Sequence, residues 1–373
     1  MINMRTGIAN LPLHGGKAPR WLFTRMVKLA EGIVDIMIEE CGQKEFLRRL
    51  SDPFWFQALG CVLGFDWHSS GVTTVTCGAL KEAINPEEHG LVLAGGKGKT
   101  SRKTPEQIIK FGEKFNLSTA KLNALQYSSK LAAKVDSAAV QDNHQLYHHV
   151  FIFDEHGNWS VIQQGLDPMS QYARRYHWLS LHVKSFIDKP HEAILGDARI
   201  GRVLDMTAHE SMESRKISVD LVNDNPNKLK KHFVAARPKH QQTIDDWLPG
   251  LKNHELNLSM PKNINWSKLR DAYEVQPKNY EELIAQPGLG PATVRALALI
   301  GELIYGTSPS WKDPVKYSFT VGGKDGVPYP VDRDVMDRVT LILKQGVKEA
   351  KVGKQEQLQA LQRLRRFVPE DVR

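Results

Sequence analysis

Cysteine is scarce in this chain: three residues in 373, Cys41, Cys61 and Cys77, with no CxxC pair among them. Three scattered thiols cannot build a disulfide framework or a cysteine-ligated zinc or iron–sulfur site, so no metal or other cofactor is expected, and free thiols in a reducing interior are. Long apolar runs are lacking as well. Charges such as Glu31, Asp35 and Glu39 interrupt the most apolar stretch, well short of the roughly 20 residues that cross a bilayer. No N-terminal apolar segment ends in a small-residue cleavage site, so neither a leader nor a membrane span is expected, and the expected location is the cytoplasm.

What the chain does have is positive charge. Fifty Lys and Arg against 42 Asp and Glu give +8. That excess favours polyanionic partners through long-range attraction and counterion release. With 41% hydrophobic and 25% charged residues the remainder is the composition of an ordinary core-forming protein, which by itself decides no activity.

Leu22, Met26, Leu29, Ile33, Ile36 and Met37 recur at helical spacing and predict a long amphipathic helix from Trp21 to Glu40. Asp52 before Pro53 reads as the N-cap of a helix ending at Val62, and a third helix is predicted from Gly71 to Ile84. The Gly-rich, basic stretch from Asn85 to Lys103 reads as a loop, with a capping box at Thr104-Pro105-Glu106-Gln107 opening the next helix. Helices at Pro105 to Phe115 and Ser118 to Val135 then precede a β-hairpin. Its strands are Tyr147 to Phe153 and Asn158 to Gln164, around a turn at Asp154 to Gly157. No dominant period marks Ala193 to Phe233. Helices return at Tyr280 to Ala285, Pro291 to Tyr305, Asp334 to Val352 and Lys354 to Phe367.

The strongest motif is Pro287-Gly288-Leu289-Gly290, between Leu283-Ile284 of a short helix and the apolar helix that starts at Pro291. A tight turn of this kind exposes main-chain N–H groups at a helix N-terminus, and the missing side chains of Gly288 and Gly290 let a phosphate come close, with Thr293 in the next turn. The segment resembles the helix-hairpin-helix motif of DNA repair proteins, so DNA is the partner the resemblance implies.

Further on, Val331-Asp332-Arg333-Asp334-Val335-Met336-Asp337-Arg338-Val339 is similar to the stretch that follows the hairpin in the endonuclease-III-like DNA glycosylases. The first aspartate of that stretch faces the substrate sugar in the superfamily, which implies Asp332 as the catalytic carboxylate. Breaking a base–sugar bond builds positive charge on the sugar, and a carboxylate there stabilises it. An ordinary N-cap is the other reading of Asp332. The early helices, from Asp52 to Thr73, extend the likeness and place Asp66, Trp67 and His68 in a loop near the base. Three departures stand against it. Ala292 occupies the place of the Schiff-base lysine of bifunctional members, which excludes a lyase step using that lysine. The gap from Gly290 to Asp332 is longer than usual, and no four-cysteine cluster follows the last helices.

Over its whole length the chain resembles an uncharacterised family of bacterial and archaeal proteins, a domain of unknown function. The likeness is carried by Leu13-His14-Gly15-Gly16-Lys17-Ala18-Pro19, by Val161 to Gly165 with Gln163 and Gln164, and by Ala173-Arg174-Arg175-Tyr176-His177-Trp178. His14, Gln163, Gln164, Arg174, Arg175, His177 and Trp178 supply a stacking ring, amides and cations suited to an extruded base and its phosphates. Lys17 would supply the amine missing at Ala292 if the fold brings it to Asp332. Taken singly, each of these residues can equally serve structure.

Ala94-Gly95-Gly96-Lys97-Gly98-Lys99-Thr100 fails as a P-loop because Leu93 stands where the first glycine belongs, so it reads as a basic loop. His144, His148, His149 and His209, with Asp154, Glu155, Asp197, Asp205 and Glu210, keep a metal-dependent nuclease as the alternative, although no compact spacing ties them together. A non-catalytic DNA-binding protein is the third reading. The fold expected is α+β: helical parts at 1–85 and 266–373, packed together as a glycosylase-like module, with an insertion at 86–265 carrying a small antiparallel sheet.

Overall fold

The computed structural model describes residues 18–65, 70–196, 200–236, 259–315, 347–348 and 353–365. The fold is α+β, built around one antiparallel sheet with helices on both faces. The sheet runs in the order β1 (Leu91–Lys97), β3 (Gln145–Asp154), β4 (Trp159–Leu166), β5 (Ala173–Leu179), β6 (Ala193–Leu195). A separate two-residue pairing joins β2 (Val140–Gln141) to β7 (Leu204–Asp205).

Alternation along the strands divides the interior into two cores. Leu91, Leu93, Val150, Ile152, Ile162 and Leu179 face α1 (Arg20–Ser51), α2 (Pro53–Val62) and α3 (Gly71–Ala83). Val92, Ala94, Phe151, Phe153, Val161 and Trp178 face the other way. After the single turn α4 (Pro86–His89), that second layer comprises α5 (Thr104–Lys114), α6 (Thr119–Lys134), α7 (Met212–Asn223), α8 (Pro226–Ala235), α9 (Trp266–Val275), α10 (Tyr280–Ala285) and α11 (Pro291–Tyr305). The last helix, α12 (Lys354–Arg365), packs on α2.

Several expectations are met closely. Asp52 caps α2 through Phe54 and Trp55 N–H at 2.8 and 3.1 Å, and the hairpin of β3 and β4 forms around the turn that Asp154 closes. Other elements differ. Helix α1 continues to Ser51 past a break at Gly42, whose φ of 76° lies in the left-handed region that glycine tolerates. The supposed loop from Asn85 contains β1, followed by a 3₁₀ turn at Gly98–Lys103. The expected capping box is not made. Gln107 instead accepts from Gly95 N–H at 2.8 Å, and Thr104 donates to the Ser101 carbonyl at 2.6 Å.

The packing of the two helical parts also differs from expectation. Among the described residues of the C-terminal part, Val347 and α12 reach the N-terminal layer. The hairpin helices α10 and α11 lie in the other layer, against α6 and α7, so the sheet separates them from α1–α3. The predicted helix from Asp334 to Val352 lies almost wholly outside the described residues.

Candidate nucleic-acid interface

Helix α10 ends at Ala285, the chain turns through Pro287, Gly288, Leu289 and Gly290, and α11 begins at Pro291. Leu289 is buried and pins the turn to the core, while Pro287 and Gly288 are exposed on either side of the bend. Gly288 has φ of 80°, and a Cβ there would meet Lys268 Cγ at 2.6 Å. Both facts require glycine. Gly290 is extended, at φ of −98°, and a Cβ there would meet nothing within 4 Å. Its lack of a side chain therefore leaves open space in front of the helix rather than serving packing.

Pro291 brings no N–H, and Gly290 supplies no side-chain cap to α11. The first turn is closed by Val294 N–H to the Gly290 carbonyl at 3.1 Å, which leaves the Ala292 and Thr293 amides directed out of the helix start. Gln141 on β2 fixes this end by donating to the Pro291 carbonyl at 2.8 Å.

A second helix start stands beside it. Asn263, Ile264, Asn265 and Trp266, at the beginning of α9, line a solvent-open cavity of 530 Å³ together with Gly288, Gly290, Pro291, Ala292 and Thr293. Thr293 is 2% exposed yet borders this cavity. The starts of two helices thus face one space, an arrangement suited to an anionic oxygen group.

Gly288, Gly290 and Thr293 are therefore brought together as expected. His14, Lys17 and Asp332 lie outside the described residues, as do Asp66, Trp67 and His68. The polar residues of the central motifs lie on β4 and β5, where they are fully buried and divided between the two faces of the sheet. Gln164, Arg175 and His177 face α1–α3. Gln163, Arg174 and Trp178 face the second layer.

On that second face they join a network which the sequence reading missed. Asp136, in a π-helical turn at Val135–Ala139, accepts from Gln163 Nε2 at 2.5 Å and Trp178 Nε1 at 3.0 Å and pairs with His191. Burial raises its carboxyl, while His191 opposes the rise. His149 bridges Gln163 and Ser129, each at 2.8 Å. Arg174 is gripped by Asp142 at 3.1 Å and by Asp313 at 2.5 Å, and Tyr176 donates to Asp142 at 2.8 Å. Burial opposes ionisation of Asp142, but His144 and Arg174 outweigh it and hold the carboxyl well below the usual range. The Trp178 ring lies against His191 and Phe186, at centroid distances of 4.6 and 6.0 Å. In this arrangement it offers no open face to a base. Nothing in local spacing announces these partners, since Asp136 and Asp313 lie far from the strands in sequence.

Of the residues raised for a metal-dependent nuclease, Asp197 lies outside the described residues and the others are dispersed. Asp154 closes the β3–β4 turn, and Asp205 accepts from the Thr207 N–H and hydroxyl. Among the described residues no group of three or more His, Cys, Asp or Glu is arranged to hold a metal.

Comparison with protein families places residues 7–331 within a family described as "Protein of unknown function (DUF763)". The chain belongs to this family. The match takes in the His14-Lys17, Gln163-Gln164 and Arg174–Trp178 motifs and the hairpin alike, ending one residue before Asp332. No curated protein and no solved structure matches the chain. Among the described residues no helix is long and apolar enough to cross a membrane.

Proposed function

We propose that this protein binds the DNA backbone through the Pro287–Gly290 hairpin and acts in the cytoplasm as a DNA repair enzyme on damaged or abasic sites. One observation carries the binding reading: the start of α11, which has no side-chain cap and leaves the Ala292 and Thr293 amides unengaged, faces a cavity that the Asn265-capped start of α9 also lines. Main-chain donors of this kind hold phosphate without reading sequence. The net charge of +8 adds long-range attraction to the same partner.

The catalytic half of the reading rests on the likeness of the stretch after Val331 to DNA glycosylases. Asp332 would stabilise positive charge on the sugar as the base leaves. Lys17 would be the amine in any imine-forming step.

Gly290→Glu separates binding from folding, because its Cβ enters open space while its carboxylate enters the anion site. Duplex affinity is expected to fall about tenfold or more, the cost of losing and repelling one charge-assisted contact. Unchanged affinity in a folded Gly290→Glu protein contradicts the binding reading. Release of free base from uracil-, hypoxanthine- or oxoguanine-containing duplex in EDTA, abolished by Asp332→Asn, supports the catalytic one. Release that survives Asp332→Asn removes that residue from the reaction.

A further inference from the structure

A row of side chains crosses four strands in register on the face toward α1–α3. Lys97 of β1 lies opposite His148 of β3, His148 opposite Gln164 of β4, and Gln164 opposite Arg175 of β5. Residues directly opposite in such a sheet have Cβ atoms roughly 5 Å apart, so their side chains form one continuous strip. This strip holds two cations and no carboxylate.

Helix α3, 13 residues long, begins over the middle of the strip. Gln164 Nε2 donates to the Ser70 carbonyl at 2.9 Å, Thr73 donates its hydroxyl hydrogen to Gln164 Oε1, and Arg175 donates to Thr73 Oγ1 at 3.3 Å. Ser70 provides no side-chain cap to α3. Arg175 also donates to the Gln57 amide oxygen at 3.1 Å and lies over the Phe56 ring at 4.8 Å. Burial lowers its guanidinium to about 9, which leaves it charged at neutral pH.

His148 is the observation that points to a ligand. It is 2% exposed, and neither ring nitrogen has a hydrogen-bond partner. A buried polar group left so is costly, and a bound group that satisfies it recovers that cost. Burial first, then His149, Lys97 and Lys81, push His148 down to about 3, so the ring is neutral and offers one N–H and one lone pair. A bulge between Leu146 and His148 brings Tyr147 to the same neighbourhood, where its hydroxyl accepts from Gln164. The Lys97 ammonium sits 5.8 Å from the centre of the Tyr147 ring. Lys97 is exposed on the edge strand, which opens the strip to solvent at that end.

We propose that this strip binds a phosphate group, which enters past Lys97 and is held by Lys97 and His148. Phosphate matches the donors in kind. Its oxygens accept from the ammonium and the imidazole N–H, and its singly protonated form donates an O–H to the imidazole lone pair. The site lies across the sheet from the hairpin and does not depend on the hairpin reading.

Calorimetric titration of the whole protein with inorganic phosphate and, separately, with a nucleoside 5′-monophosphate tests the proposal. Saturable binding is expected, about tenfold weaker in Lys97→Ala, as for loss of one charge-assisted hydrogen bond, and unchanged in Lys99→Ala on the adjoining exposed turn. Tighter binding of the nucleotide identifies an organic phosphate as the natural occupant, and equal binding identifies the free anion. In ¹⁵N-histidine-labelled protein, phosphate is expected to shift the His148 ring nitrogens, a readout that needs no core substitution. No saturable binding, equal affinity in Lys97→Ala, or ring nitrogens that stay fixed under phosphate overturns the proposal.

Discussion

Glycines two positions apart in the hairpin do different work, and substitution separates them. At Gly288 a side chain meets both a φ of 80° and Lys268 at 2.6 Å, so Gly288→Ala is expected to lower stability by about 1–3 kcal/mol. At Gly290 the same change is expected to leave stability nearly unaltered. Urea unfolding of the two variants decides this, and equal losses contradict the division. Buried histidines set a second property of the same scale. Burial pushes His148 to about 3 and His149 to about 4, and His177 lies well below its ordinary value. Groups whose folded pKa is depressed contribute stability above the unfolded value of 6.5, and lose it as pH falls from there toward the folded values. Each such histidine takes up a proton on unfolding, at about 1.4 kcal/mol per pH unit. Asp136, raised by burial, acts in the opposite direction, but three histidines outweigh one carboxyl. The thermal midpoint is therefore expected to fall steeply between pH 6.5 and 4.5. A flat profile across that range contradicts the burial of neutral imidazoles.

Strand β5 depends on charge pairs with distant segments. Arg174 bridges Asp142, just after β2, and Asp313, near the end of the described 259–315 stretch. Asp313→Ala is expected to destabilise by about 3–5 kcal/mol, because a buried guanidinium loses a paired carboxylate. Denaturant unfolding checks the magnitude, and a loss below about 1 kcal/mol, the range of exposed pairs, contradicts it. The same element shows what the sequence could and could not disclose. Helices with clear caps were legible to within a residue or two, as with Asp52 before α2 and Ser118 before α6. The hairpin of β3 and β4 was legible from its turn. Strand β5 was not, because helices cover both faces of the sheet and every position from Ala173 to Leu179 is buried. The usual alternation of polar and apolar residues is therefore absent. Its polar residues looked like a binding set, yet half of them satisfy Asp136, Asp142 and Asp313 across the second core. Strand β1 was hidden by glycines, of which Gly95 is required because a Cβ there would meet the His149 carbonyl oxygen at 2.3 Å. The PGLG turn announced the hairpin, whereas the start of α9 that completes its cavity carries only the modest signal of Asn265 as an N-cap.

At the scale of the molecule, the sheet sets the hairpin cavity and the Lys97–Arg175 strip on opposite sides. Two anion sites so placed predict separable behaviour. Inorganic phosphate at concentrations that fill the strip is expected to leave the affinity of the Gly290→Glu variant relative to wild type unchanged. DNA affinity through the hairpin is expected to fall with salt, log affinity dropping by about 0.9 per phosphate contacted for each tenfold rise. The measurement that bears most directly on the central claim is amide chemical-shift mapping of the whole protein with a short abasic duplex. The account predicts that the amides of Gly288, Gly290, Ala292 and Thr293 move most and in concert. Saturable duplex binding with those four signals unmoved would place the interface elsewhere and contradict it.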